Sequence, residues 1–474
     1  MSLSASYRRE AKNQLNMEVS MKHKFPLAAL LIAVCVLLLA QDAWAAVKTI
    51  QLPEDPTKAY ITLGILGISA VMFFTEIVPL PITAMLVPIA LCMTKVITSK
   101  VAFSYFGDPT VVLFMAMFIV GEGTFVTGFA DKVGAVAVKL SRGSQLKLIL
   151  FTMIAIGVLS SVLSNTGTTA VAVPMVLGMC LKARLSPAKV LIPVAFASSL
   201  GGTLTMVGTP PNGIINGVIG SMLDGGAIEG LRTFGFFEFG LIGIPLLVAG
   251  LLSYALIGYR FLPDRKLEDE DVIVDAKVRR ENKMWHSIAI FGFVVIMMAT
   301  ELMPLTPAAM LGACFMVITG CMTIREAFRS VDWTTIFLFA GMLSMSTAMD
   351  KSGAAAIVAN FVVSQVSNPW LLMLVCCALT ALITNFMSNT ATAALMAPLA
   401  LPIALASGIS PMPILIGIAM SASCCFLTPI ATPPNTIVLG PGRYSFMDYV
   451  KAGWPLQLIS LVICVTIIPM IWHF

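Results

Sequence analysis

Ser, Asn and Thr in a row are odd residues for the apolar part of a chain, yet here the row occurs twice. LSNTGTTAVAVP (163–174) and MSNTATAALMAP (387–398) agree at six of twelve positions. A second pair, VGTPPN (207–212) and IATPPN (430–435), follows them at nearly the same spacing. None of the four motifs contains Asp, Glu, His, Lys or Arg. The chemistry open to such residues is that of neutral dipoles. Hydroxyls, amide oxygens and frayed carbonyls ligate hard cations such as Na⁺, and the free N–H groups of a helix start attract carboxylates or sulfate. Proton titration has no group to use in the motifs, and a Lys or Arg clamp is missing. No nucleophile with a base and no metal-ligand cluster is legible, which speaks against an intramembrane enzyme.

The elements that must hold these motifs follow from bulk composition. Of 474 residues, 58% are hydrophobic and 11% charged, and residues 352–442 contain no Asp, Glu, Lys or Arg. That reads as an all-α polytopic membrane protein, since a span needs about 20 apolar residues. About 11 transmembrane helices are expected, near 25–47, 59–78, 82–98, 109–130, 190–222, 236–258, 285–303, 305–322, 333–349, 412–441 and 453–472. Two uncharged stretches remain, 148–181 and 369–405, and each suits a re-entrant helical hairpin. The segment MKHKFPLAALLIAVCVLLLAQDAWA also has the pattern of a cleaved signal peptide, and Met21 could be the start. Charge favours a retained helix: with the N-terminus inside, 23 of the 29 Lys and Arg face the cytoplasm, the expected bias. The net charge of +5 therefore reports orientation rather than nucleic-acid binding. The ten cysteines lie in apolar segments and suggest no disulfide framework.

The duplication extends beyond the motifs. FTEIVPLPITAML (74–86) recurs as ATELMPLTPAAML (299–311), and DPTVVLF from Asp108 as DWTTIFL from Asp332, all at offsets of 223 to 225. The chain thus divides into a polar N-terminal extension (1–24), a first helix and outer loop (25–58), a repeat (59–258), a basic cytoplasmic linker (259–284) and a second repeat (285–474). Five crossings per repeat is odd, so the second repeat must be inverted relative to the first, the plan of many secondary transporters. Each hairpin tip should fall at an SNT triplet, with helices starting near Thr168 and Thr392. Each TPPN should break an over-long helix. The four breaks should then meet near the midplane. Glu76 and Glu301 read as helix-end residues, Glu122 lies deeper opposite Ser346 of the other copy, and His23, His286 and His473 read as bystanders.

With SNT at 164–166 and 388–390 and TPPN at 209–212 and 432–435, the chain resembles the divalent anion/sodium symporter family over nearly its whole length after residue 25. That resemblance implies a homodimer with a fixed scaffold and a transport domain that moves as an elevator; in the plasma (inner) membrane, the threading and its charge bias put the N-terminus in the cytoplasm and the C-terminus outside. It implies substrate contacts from Asn165, Thr166, Asn389 and Thr390, with Thr209, Pro210, Thr432 and Pro433 lining the same pocket. One sodium site would use Ser160, Ser164, Asn165 and the Gly208 carbonyl, and the other Thr384, Ser388, Asn389 and the Ala431 carbonyl. The expected function is sodium-coupled symport of C4-dicarboxylates such as succinate, malate or fumarate, with Na⁺ as coupling ion. An exchanger of dicarboxylate or citrate, a sodium/sulfate symporter, and an ion antiporter or channel of similar architecture are the alternatives.

Overall fold

The computed structural model describes residues 56–141, 144–183, 185–223, 231–265, 280–365 and 368–474. The expected first helix at about 25–47, the extension before it and the middle of the linker, 266–279, lie outside the described residues. Within them every regular element is helical. One series runs α1 (Pro56–Thr75), α2 (Leu80–Met93), α3 (Ser99–Ser104), α4 (Pro109–Val126), α5 (Phe129–Ser141), α6 (Gln145–Ser160), α7 (Asn165–Ala183), α8 (Leu191–Gly202), α9 (Pro210–Leu223) and α10 (Gly240–Leu256). The next repeats its order: α11 (Met284–Thr300), α12 (Leu305–Ile318), α13 (Ile324–Ser330), α14 (Trp333–Ser352), α15 (Ala354–Gln365), α16 (Pro369–Thr384), α17 (Asn389–Ala406), α18 (Pro411–Ser423), α19 (Pro433–Leu439) and α20 (Phe446–Ile471).

Caps fix many of the starts. Asp108 and Asp332 each accept an N–H two residues on, at 2.7 and 3.1 Å, to open α4 and α14. Thr98 accepts from Val101 N–H before α3, and Thr323 forms a capping box with Glu326 before α13. Such side chains satisfy donors that the helix cannot. Glu76 and Glu301 close α1 and α11 in the left-handed region, at φ 47° and 54°, and both are exposed. α5 and α15 occupy stretches expected as loops between spans. α5 is short and carries charges, while α15 lies inside the uncharged run 352–442 and merges in sequence with the hairpin arm that follows it.

Five stretches are long and apolar enough to cross a bilayer among the described residues: Pro56–Thr75, Ser99–Val126, Glu281–Thr300, Asn389–Ala406 and Phe446–Ile471. They differ in surroundings. The apolar window of Asn389–Ala406 is 83% buried inside the protein and that of Pro56–Thr75 only 28%, so α17 packs among helices while the described residues leave most of α1 uncovered. Seven further apolar helices are shorter. α8, with 12 residues, reaches about 18 Å at 1.5 Å per residue, less than a hydrocarbon core of about 30 Å.

Packing sorts the helices into two groups. α2 lies against α14 and α4 against α12, an exchange of partners between the copies. The hairpin arms behave likewise: α6 packs on α8 and α16 on α18, while α9 meets α17 and α19 meets α7. Where α10 and α20 pass the breaks, Gly243 and Gly453 lie so close to the carbonyls of Thr203 and Phe426 that a Cβ would collide with them. The described ends of the linker hold to different groups. Arg265 pairs with Asp448 at 2.9 Å and its carbonyl accepts from Ser186 Oγ at 2.8 Å. Arg280 donates N–H to Val126 O at the end of α4 and forks onto Glu326 of α13 at 2.7 and 3.0 Å.

Candidate functional site

Both SNT triplets fall at helix–turn–helix tips, between α6 and α7 and between α16 and α17. The following helices begin at Asn165 and Asn389, three residues earlier than expected, because the serine is the cap. Ser164 Oγ accepts Gly167 N–H at 3.1 Å and Ser388 Oγ accepts Ala391 N–H at 3.2 Å. Asn165, Thr166, Asn389 and Thr390 thus occupy first turns, where backbone N–H groups have no acceptor inside the helix.

The TPPN motifs open α9 and α19 after non-helical segments at 203–209 and 424–432. Their asparagines brace those segments in the same way in both copies. Asn212 Nδ2 donates to the Gly202 and Thr205 carbonyls at 3.4 and 2.8 Å; Asn435 Nδ2 donates to those of Cys425 and Thr428 at 3.1 and 2.9 Å. Each segment is also stitched to a hairpin tip: Thr205 Oγ1 donates to the Ser161 carbonyl, and Thr428 Oγ1 to that of Asn385.

These four breaks meet at one cavity of about 290 Å³. Of the residues expected to bind, Ser164, Asn165, Thr166, Gly208, Thr209 and Pro210 from the first copy line it. Ser388, Asn389, Thr390, Ala431, Thr432 and Pro433 from the second line the facing wall. Ser160 and Thr384 do not. Both are fully buried behind the wall and touch the asparagines, with Ser160 Oγ 2.6 Å from the Asn165 amide and Thr384 Oγ1 3.0 Å from Asn389 Oδ1. Glu122, His286 and His473 lie off the cavity.

The Asn165 amide shows what the cluster could hold. Ser160 Oγ, the Gly208 carbonyl and the Ser198 carbonyl lie 2.6, 3.1 and 3.2 Å from one end of it. With nitrogen at that end the amide donates to these oxygens. With oxygen there, only the Ser160 hydroxyl can donate to it, and four oxygens then crowd together, a donor set of the kind that suits a hard cation. Gly202 is required beside it, since a Cβ there would lie 2.7 Å from Asn165 Oδ1 and 3.0 Å from the Gly208 carbonyl. The second copy has Thr384 Oγ1 donating to the Ala422 carbonyl at 2.6 Å, next to Asn389, and carries Cys425 where the first has Gly202.

The cavity also has lining that the motifs did not reveal. Phe114, Met117 and Phe118 of α4 and Leu338 of α14 form an apolar side. Asp332, with Thr334 and Thr335, stands at one end; its Oδ2 accepts from Thr335 Oγ1 at 2.5 Å and its side chain is exposed. Sequence singled out Asp332 only as a repeat-related position, because a cap and a cavity residue look alike until the helices are packed. Lys, Arg and His are absent from the described lining.

An all-helical membrane protein whose doubled motifs converge on one cavity belongs to the class of integral membrane transporters. Within that class, this chain belongs to the citrate transporter family, whose model matches residues 70–404 and 365–474. It is 24% identical to the sodium-dependent dicarboxylate transporter SdcS of Staphylococcus aureus (strain USA300), over 88% of this chain and 86% of that one. It is 25% identical to the uncharacterized transporter YfbS of Escherichia coli (strain K12), over 87% and 99% of the two chains. The crystal structure of the Alcanivorax borkumensis YdaH transporter has the same fold, with a TM-score of 0.62 at 15% identity over 87% of this chain and 97% of that chain. The family and these relatives are transporters, not enzymes.

Proposed function

We propose that the protein carries C4-dicarboxylates such as succinate, malate or fumarate together with Na⁺, using the cavity between the two hairpin tips as the substrate site. The observation that carries this reading is the meeting of both SNT and both TPPN motifs, uncharged and bearing hydroxyls and amides, at one cavity. A dianion there would face hydroxyls, amides and two helix starts with no cationic side chain, and Asp332 at the end adds a negative charge. On insertion scales each uncompensated charge at the bilayer centre costs about 2.5–3.5 kcal/mol. Cations bound beside the cavity offset that cost, which couples the two solutes. Na⁺ would be held by Ser160, Ser164, Asn165 and the Gly208 carbonyl, and by Thr384, Ser388, Asn389 and the Ala431 carbonyl. Asn165, Thr166, Asn389, Thr390, Thr209, Pro210, Thr432 and Pro433 would face the carboxylates. The name of the S. aureus relative supports both the ion and the substrate class.

The exchange of packing partners between the copies, α2 with α14 and α4 with α12, supports a two-fold relation and hence inverted repeats. The group of α6 to α10 with α16 to α20 would move as the elevator against α1 to α4 with α11 to α14, in a homodimer with its N-terminus cytoplasmic and C-terminus outside. The family description favours a second substrate reading, citrate. Uptake of labelled succinate into proteoliposomes, with and without an inward sodium gradient and with citrate, malate and sulfate as competitors, tests all of this. Sodium-driven succinate uptake is expected. Uptake that ignores sodium and needs internal dicarboxylate identifies an exchanger, and stronger competition by citrate moves the substrate to tricarboxylate.

A further inference from the structure

At the end of α18 two backbone N–H groups leave the helical ladder, whereas their counterparts after α8 stay in it. Thr203 N–H donates to Leu200 O at 3.2 Å and Leu204 N–H to Gly201 O at 3.1 Å. In the second copy Cys424 turns out of the helix, at φ −92° and ψ 76°, and side chains take over. Phe426 N–H donates to Gln457 Oε1 at 3.2 Å, and Leu427 N–H to Asn385 Oδ1 at 2.9 Å. Gln457 Nε2 donates to the Cys424 carbonyl at 2.8 Å, and Asn385 Nδ2 to Gln457 Oε1 at 3.3 Å. Inside a membrane protein such freed groups must find partners within the chain.

Gln457 lies on α20, outside every repeated motif. The close-approach glycines Gly243 and Gly453 bring α10 and α20 onto equivalent carbonyls, and four residues further on stand Leu247 and Gln457. Position 161, the counterpart of Asn385, is a serine. The polar clamp therefore exists in one copy only.

We propose that Gln457, acting with Asn385, is a positioning residue for the second cation-ligand set, an assignment that rests on the sodium-coupled reading above. Asn385 sits at the hairpin tip between Thr384 and Ser388, and the segment it shares with Gln457 runs on to Ala431. The clamp ties tip and segment together, so the Thr384 hydroxyl, the Asn389 amide and the Ala431 carbonyl keep a common spacing. In the first copy the helix's own hydrogen bonds hold the segment, and Gly202 lets it approach Asn165 directly.

Sodium-activation curves of succinate uptake into proteoliposomes test the clamp with Q457L and Q457E. Q457L installs the residue of the first copy and removes all three hydrogen bonds; Q457E keeps the acceptor for Phe426 N–H and Asn385 Nδ2 but replaces the donor to the Cys424 carbonyl with an acidic oxygen. Half-saturating sodium should rise at least about fivefold in Q457L and less in Q457E, while succinate KM at saturating sodium stays within about twofold. If Q457L does not reach the membrane, the Q457E curve decides. A wild type indifferent to sodium overturns the coupled reading and the clamp with it. A sodium-dependent wild type whose variants give the same half-saturation, or lose only maximal rate, overturns the clamp alone.

Discussion

At the scale of single residues, the two halves of the site use the same atoms under different constraints. Asn165 is hemmed in by Ser160, Ser198 and the Gly208 carbonyl, and Gly202 leaves it room. Gly202→Ala would place a methyl against the Asn165 side-chain amide and the Gly208 backbone carbonyl, so the amide must turn away from the cluster to make room. Half-saturating sodium for uptake should rise by about tenfold, about 1.4 kcal/mol, with little change in the amount of folded protein in the membrane. Cys425→Ala, at the equivalent position, removes an atom instead of adding one and should shift the same curve by less than about threefold. A Gly202→Ala curve that overlays the wild type would remove Asn165 from cation binding.

At the scale of elements, caps and clamps decide where helices begin and what they hold. α13 is a short helix whose capping box and ion pair converge on Glu326, so it anchors the second described end of the linker. The Arg280 guanidinium, then the Thr323 N–H, hold the Glu326 carboxyl down at about 2, against an ordinary value of 4.5. The carboxylate is therefore favoured in the folded protein. Its contribution is fully present above about pH 4.5 and fades as pH falls through that window toward 2. The group is partly exposed, with 38% of its side chain open to solvent, so the effect is modest. Thermal unfolding of the detergent-solubilised protein should show a midpoint that declines between pH 5 and pH 3, about a degree or two more in the wild type than in Glu326→Gln. Equal slopes in both proteins would show that the pair contributes nothing to stability.

At the scale of the molecule, the linker joins two groups of helices that pack mainly within themselves. Its Arg265 end is fixed to Ser186 and Asp448, and its Arg280 end to α4 and α13. In an elevator these anchors would lie on the moving and the fixed parts. The proposed inverted arrangement makes a direct prediction about sides. With the exposed Cys314 replaced, a cysteine introduced at Lys351 should react with a membrane-impermeant maleimide added outside intact cells. One at Arg329 should react only after permeabilisation. Reaction of both from the same side would mean that α14 does not cross, and the inverted threading would fall.

Much of this was legible in the chain itself. Uncharged runs dictate helices in a membrane, because no other local structure pairs every backbone group without water, and the constant offset of SNT, TPPN and the capping aspartates dictates two like halves. The sequence therefore determined the helical class, the hairpin tips and the residues that gather at the cavity. It could not determine what those residues face. That Ser160 and Thr384 stand behind the wall, that Asp332 reaches the cavity from α14, and that Gln457 reaches the break from α20 all depend on helices far apart in the chain coming together. α5 and α15 escaped notice for a related reason, since such short helices are defined by the helices they pack against. Periodicity and composition are local properties of a chain; a shared cavity is a property of its packing, and only the tertiary structure decided it.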